Sequence, residues 1–137
     1  MRLVLDSNVL IAAFATRGLC QAVLESCLAA HELVTSEIIL KEVNRKLRTK
    51  MRVPARVVSE IDQFLRAHAL LVRPASVSPK ICRDKRDLPI LGTAKAGNAT
   101  FLVTGDKDLL DVGTYSGTDI VTPRQLWERL RSRKPST

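Results

Sequence analysis

Short apolar runs that end in polar residues, separated by longer stretches of helical periodicity, set the plan of this chain. Leu3 to Leu5 reads as a strand that empties into Asp6, Ser7 and Asn8, followed by a short helix through Phe14. After Gly18, Cys20, Val23, Leu24, Cys27 and Leu28 recur at the spacing of one helix face, which predicts a helix over 19–30. Leu33 to Thr35 is a second strand, and Ser36 is placed to cap a helix whose inner face carries Ile39, Val43 and Leu47. Pro54 opens another helix to about Leu70, and Leu71 to Arg73 is expected as a third strand. The Pro- and Ser-rich stretch 74–80 reads as a loop. A helix from Leu88 to Ala96 tolerates Pro89 in its first turn, where the backbone N–H has no helical partner, and Gly97 ends it. Phe101 to Val103 and Asp119 to Val121 complete a set of about five strands, and Pro123 opens a last helix through Leu130.

Strands that alternate with helices predict an α/β fold with a mostly parallel sheet covered on both faces. Ligands of such sheets bind in the crevice beyond the carboxyl ends of the strands, which is where the acids after Leu5 and Val103 fall. At 137 residues the chain has the size of one domain, expected over 1–130, with a polar, basic and mobile tail over 131–137.

Charge narrows the function. Twenty-two Lys and Arg against 14 acids give a net charge of +8, which favours a polyanionic partner such as nucleic acid. No apolar run approaches the ~18 residues of a membrane span, and the N-terminus enters a strand without a secretory signal pattern, so a cytoplasmic, membrane-free protein is expected. Cys20, Cys27 and Cys82 form no C-x-x-C pair and read as packing residues of a reducing compartment. His31 and His68 read as structural, and no phosphate-binding glycine loop is present.

Glu42 is the most telling single residue. It lies three residues after Ile39, against the apolar face of its helix, where an unpaired carboxylate would be costly. Either a basic side chain, Arg45 or Lys46, or a bound cation must neutralise it. Taken singly, the remaining acids have plain structural readings: Asp6 and Asp87 as helix N-caps, Asp106 as a turn residue, Asp84 and Asp108 as solvated charges. Taken together, Asp6, Glu42, Asp87 and Asp106 would crowd one edge of one sheet and repel unless they bound a cation. All-oxygen ligands select Mg²⁺ or Mn²⁺, and a carboxylate-held hard cation in a basic protein fits phosphodiester hydrolysis.

The segments LVLDSNVLIAAF, SEIILKEV, D-x-x-I-L-G-T-A from Asp87 and LVTGDKDLL, in this order, resemble the PIN domain, and more narrowly the single-domain PIN toxins of prokaryotic toxin–antitoxin pairs. The resemblance extends from about residue 2 to 130. It implies a Rossmann-like α/β/α fold and a metal-dependent endoribonuclease whose acids match Asp6, Glu42, Asp87 and Asp106. It also implies an RNA substrate, inhibition by a small antitoxin, and a homodimer or higher homo-oligomer. Asp84 competes with Asp87 for the third position, and Asp108 is a further candidate ligand. Ser7, Asn8 and Thr104 are candidates to orient the carboxylates. The basic run Arg45, Lys46, Arg48, Lys50 and Arg52 is the candidate RNA surface, since it extends from the helix that carries Glu42.

Two rivals remain in view. A phosphotransferase of the haloacid-dehalogenase type also places an Asp after its first strand, but needs a second two residues on, where this chain has Asn8. A PIN-derived module with an idle site, acting only as an RNA or protein partner, is the other, and the complete set of acids counts against it. RNA cleavage that depends on Mn²⁺ and stops with EDTA separates it from an enzyme.

Overall fold

The apolar runs become strands of one sheet in the structure, a computed structural model that describes residues 1–132. The strands are β1 (Arg2–Leu5), β2 (Glu32–Thr35), β3 (Ala69–Leu71), β4 (Phe101–Val103), β5 (Thr114–Tyr115) and β6 (Thr118–Val121), in the order β3-β2-β1-β4-β6-β5. Every pairing is parallel except that of β5 with β6. The helices are α1 (Ser7–Ala15), α2 (Leu19–Ala30), α3 (Glu37–Thr49), α4 (Ala55–His68), α5 (Leu88–Ala96), α6 (Lys107–Val112) and α7 (Pro123–Ser132). The expected α/β fold with a mostly parallel sheet flanked by helices is therefore the observed one.

Packing follows the patterns that predict the elements. α3 buries Ile39, Leu40, Val43 and Leu47, the inward stripe, and packs against α1 and α4. α5 lies on β1, β2 and β4. It is approached closely by the loop after β3, where the Ala75 N–H donates to the Gly92 carbonyl at 2.9 Å. A Cβ on Gly92 would run into the Ala75 carbonyl oxygen, so only glycine permits this approach. Leu3, Leu5, Leu33, Phe101 and Leu102 are completely or almost completely buried at the centre.

Five details depart from the sequence expectation. The sheet has six strands rather than about five, because Ser116 and Gly117, both at positive φ (52° and 83°), turn a two-residue hairpin that adds β5. β3 begins at Ala69 rather than Leu71, in register with Leu33. As an edge strand with Leu70 and Leu71 about two-fifths exposed, it lacks the inward alternation that would have located it. Ser36 makes no cap bond to α3; its hydroxyl instead pairs with Thr93 Oγ1 at 2.8 Å, tying α3 to α5. α6 forms where the pattern predicts no helix, and α7 continues through Arg131 and Ser132, two residues into the expected tail. The rest of that tail, 133–137, lies outside the described residues.

Among the described residues no single helix is long and apolar enough to cross a membrane. From β1 the chain crosses to β2 on one side, while β4 lies on the other, so the order reverses between β1 and β4. A crevice opens at such a reversal, beyond the carboxyl ends of the strands.

Candidate active site

Asp6 and Asp106 stand on either side of that reversal. The Asp6 N–H donates to the Val103 carbonyl at 2.9 Å, continuing the β1–β4 ladder by one rung, and Asp6 then occupies the N-cap of α1. Its Oδ1 accepts from the Ser7 N–H at 2.8 Å and its Oδ2 from Thr104 Oγ1 at 2.8 Å. Thr104 in turn accepts from the Asp106 N–H at 3.0 Å, and Asp106 caps α6 through the Asp108 N–H at 2.9 Å. One threonine hydroxyl thus links the Asp6 carboxylate to the Asp106 backbone across adjacent strand ends.

α3 and α5 bring the other acids. Glu42 accepts on Oε1 from Ser7 Oγ at 2.8 Å and from the Lys46 ammonium at 2.8 Å. Lys46 also donates to Asn8 Oδ1 at 3.0 Å. Asp87 ends a 3-10 turn, Lys85–Asp87, at the N-cap position of α5, yet its side chain makes no cap bond. The plain capping role is unfilled, and Asp87, a residue only 8% exposed, lines the cleft with the other acids.

The acids line one cleft of about 250 Å³, which holds Asp6, Glu42, Asp84, Asp87 and Asp106 together with Arg45, Lys46, Lys50 and Arg86. Asn8 also lines it. Arg48 and Arg52 of the basic run do not, so the run divides along the helix face that carries Glu42. Asp84 accepts from the Arg86 guanidinium at 2.9 Å and caps the 3-10 turn through the Arg86 N–H.

A second grouping overlaps the first: Asp84, Asp87 and Asp108 each bring a carboxylate oxygen within 4.8 Å of the others. Asp108 does not line the cleft, and Asp84 is already paired with Arg86. The cleft grouping therefore holds more unneutralised charge, with Asp87 common to both.

Protonation follows these contacts. Burial, above all, pushes the Asp87 carboxyl up to about 7, with the Asp106 charge and a hydrogen bond shared with Asp106 adding to it. Burial also raises Asp6, against the pull of the Thr104 and Ser7 bonds, and the Glu42 and Asp106 charges raise it further. At Glu42 burial works upward too, but the Lys46 and Ser7 bonds outweigh it and hold the group below its usual range. The Arg86 bonds lower Asp84. The cleft contains carboxylates that resist joint ionisation beside others that the chain itself neutralises.

Cys82, read from the sequence as a packing residue, is also a neighbour of the acids. Its Sγ lies 4.0 Å from Asp87 Oδ2 and 3.6 Å from the Asp108 carbonyl oxygen, and burial raises its thiol. No spacing signal marks a lone cysteine. The Lys46 partnership with Glu42, by contrast, was available from their i,i+4 spacing.

The donor chemistry suits a hard divalent cation: the acids are oxygen ligands, and no His or Cys lines the cleft. Three carboxylates, Asp6, Asp87 and Asp106, have no basic partner among the described residues.

The sequence model of the PIN domain matches residues 2–108. No curated protein matches the chain. Among solved structures, VapBC2 from Rickettsia felis, bound to a DNA fragment from its promoter, is similar over 88% of this chain and 97% of its own, with 16% identity and a TM-score of 0.61. VapBC-1 from nontypeable Haemophilus influenzae is similar over 90% and 99%, with 17% identity and a TM-score of 0.62. FitAcB from Neisseria gonorrhoeae is similar over 89% and 98%, with 16% identity and a TM-score of 0.53.

Proposed function

This chain belongs to the PIN domain family, and we propose that it is a divalent-metal-dependent endoribonuclease, the toxin of a toxin–antitoxin pair. The convergence of Asp6, Glu42, Asp87 and Asp106 in one cleft rimmed by basic side chains carries this reading. The likeness to VapBC2, VapBC-1 and FitAcB supports its toxin–antitoxin part, and with it a small antitoxin as partner. The proposed substrate is RNA, and the proposed assembly a homo-oligomer.

An Mg²⁺ or Mn²⁺ ion would be held by carboxylates drawn from Asp6, Glu42, Asp87 and Asp106, and supplies acidity to water and charge neutralisation at phosphate oxygens. The side chains have separate tasks. Thr104 and the Ser7 N–H fix both oxygens of Asp6, while Ser7 Oγ and Lys46 fix Glu42, so neither carboxylate must reorganise when a substrate arrives. A purely acidic cleft would repel a phosphodiester. Arg45, Lys46, Lys50 and Arg86 offset that repulsion at the cleft and draw the backbone toward the acids.

The test is cleavage of a generic single-stranded RNA by the purified protein, with Mn²⁺ and with EDTA, for wild type and Asp6→Asn. Asn caps a helix about as well as Asp, so the substitution removes the charge and spares α1. Cleavage should require the ion and vanish in the variant, while the metal-free variant melts at or above the wild-type temperature because a buried, disfavoured charge has gone. An Asp6→Asn protein that cleaves at the wild-type rate would overturn the reading.

A further inference from the structure

Two of the five carboxylates in the cleft are already paired with cations of the chain, and the two pairs are unlike. Arg86 lies on the rim with its side chain 90% exposed, so its bond to Asp84 is a solvated one. The Lys46 side chain is 15% exposed. Its ammonium sits between two oxygens from different helices, Glu42 Oε1 of α3 at 2.8 Å and Asn8 Oδ1 of α1 at 3.0 Å. Glu42 Oε1 also receives Ser7 Oγ at 2.8 Å. A point walled by oxygens and filled by positive charge is a cation position, and here the chain fills it with its own ammonium.

A divalent ion close to that ammonium would be repelled by it and would have to compete for Glu42. Asp6, Asp87 and Asp106 present no such obstacle, since no Lys or Arg among the described residues pairs with them. We propose that Lys46 acts as an internal counter-cation on the Glu42 side of the cleft, so that the site takes up one divalent ion, on Asp6, Asp87 and Asp106, rather than two. The inference rests on the metal-dependent reading above and adds its stoichiometry. Lys46 is thereby a positioning residue, which orients Glu42 and excludes a second ion.

The measurement is Mn²⁺ binding to the metal-stripped, folded protein by titration calorimetry, with circular dichroism to confirm the fold of each variant. Wild type should bind one ion. Lys46→Gln should bind two, because the vacated oxygens of Glu42 and Asn8 then accept a second. Lys46→Arg should return to one, and so should Lys46→Gln combined with Glu42→Gln. An ordinary i,i+4 ion pair that only steadies the helix would leave the stoichiometry unmoved in all four proteins. Two ions in wild type, or one ion of unchanged affinity in Lys46→Gln, would overturn the inference and leave the metal-dependent reading intact. No ion in any of the proteins would overturn that reading, and the inference with it. The wild-type count alone keeps the proposal open to refutation should Lys46→Gln fold poorly.

Discussion

Thr104 Oγ1 donates to Asp6 Oδ2 at 2.8 Å, which ties the residue after β4 to the residue after β1 across the point where strand order reverses. The same oxygen accepts from the Asp106 N–H, and Thr104 is fully buried. Thr104→Val keeps the shape and removes the hydroxyl, leaving a buried carboxylate oxygen and a backbone N–H without their partner. A loss of about 1–3 kcal/mol in stability is expected, as for an unsatisfied buried group. Mn²⁺ affinity should fall about 10–100-fold, the usual cost of removing an orienting partner. Thr104→Ser should restore most of both. Denaturant unfolding and calorimetry read the two effects, and an unchanged Mn²⁺ affinity in Thr104→Val would show that Asp6 needs no such orientation.

Asp87 should outrank Asp84 as an ion ligand. The two lie within reach of each other, but Asp84 has its guanidinium partner and caps a turn, whereas Asp87 is buried, caps nothing and faces Asp106. Asp87→Asn is expected to abolish measurable Mn²⁺ binding, and Asp84→Asn to keep it within a few-fold of wild type. The reverse pattern in a side-by-side titration would exchange their roles.

Much of this site could be read from the chain because its chemistry is local. Asp6 follows an apolar run directly and Asp106 follows one after Thr104 and Gly105, and ligands of a parallel sheet gather beyond such strand ends. Glu42 announced itself by its spacing from Ile39, although its side chain is about one-third exposed rather than sunk in the core. What stayed hidden depends on residues far apart in sequence. The Lys46 bond to Asn8 on another helix is of this kind, and so is the bond of the Ser36 hydroxyl, at the N-cap of α3, to Thr93. The register of β3 and the two-residue β5 likewise follow from edge pairing and a turn, not from any hydrophobic period.

The basic run should act unevenly on RNA. Arg45 and Lys50 line the cleft and Arg48 and Arg52 do not. Binding of a labelled single-stranded RNA, followed by anisotropy in EDTA over a range of salt, should weaken on replacing Arg45 and Lys50 with Gln. The salt slope should drop by about 0.7 for each phosphate contact removed. The Arg48→Gln, Arg52→Gln pair should change both quantities less. An equal or larger change in that second pair would move the RNA path off the cleft.

Protonation gives the last prediction, and its sign can be worked out from Asp87. In the unfolded chain this carboxyl titrates near its ordinary 3.8, and in the folded, metal-free protein at about 7, first because it is buried and then because Asp106 is beside it. Between those values the native state holds more protons than the unfolded one, so stability must fall as pH rises through the window. Asp6, also raised, acts in the same direction. Glu42 and Asp84, both lowered, act oppositely but only at the acid end, where their ion pairs are lost as pH drops. In EDTA the melting temperature should therefore decline from about pH 4.5 to about pH 7. Excess Mn²⁺ should flatten or invert that slope, since ions bind the deprotonated carboxylates and displace their protons. Asp87→Asn should lose most of the slope in EDTA and most of its response to Mn²⁺. A melting temperature that climbs across this window in EDTA would mean that the acids are already neutralised without an ion, and that the cleft lacks the uncompensated charge on which metal binding depends.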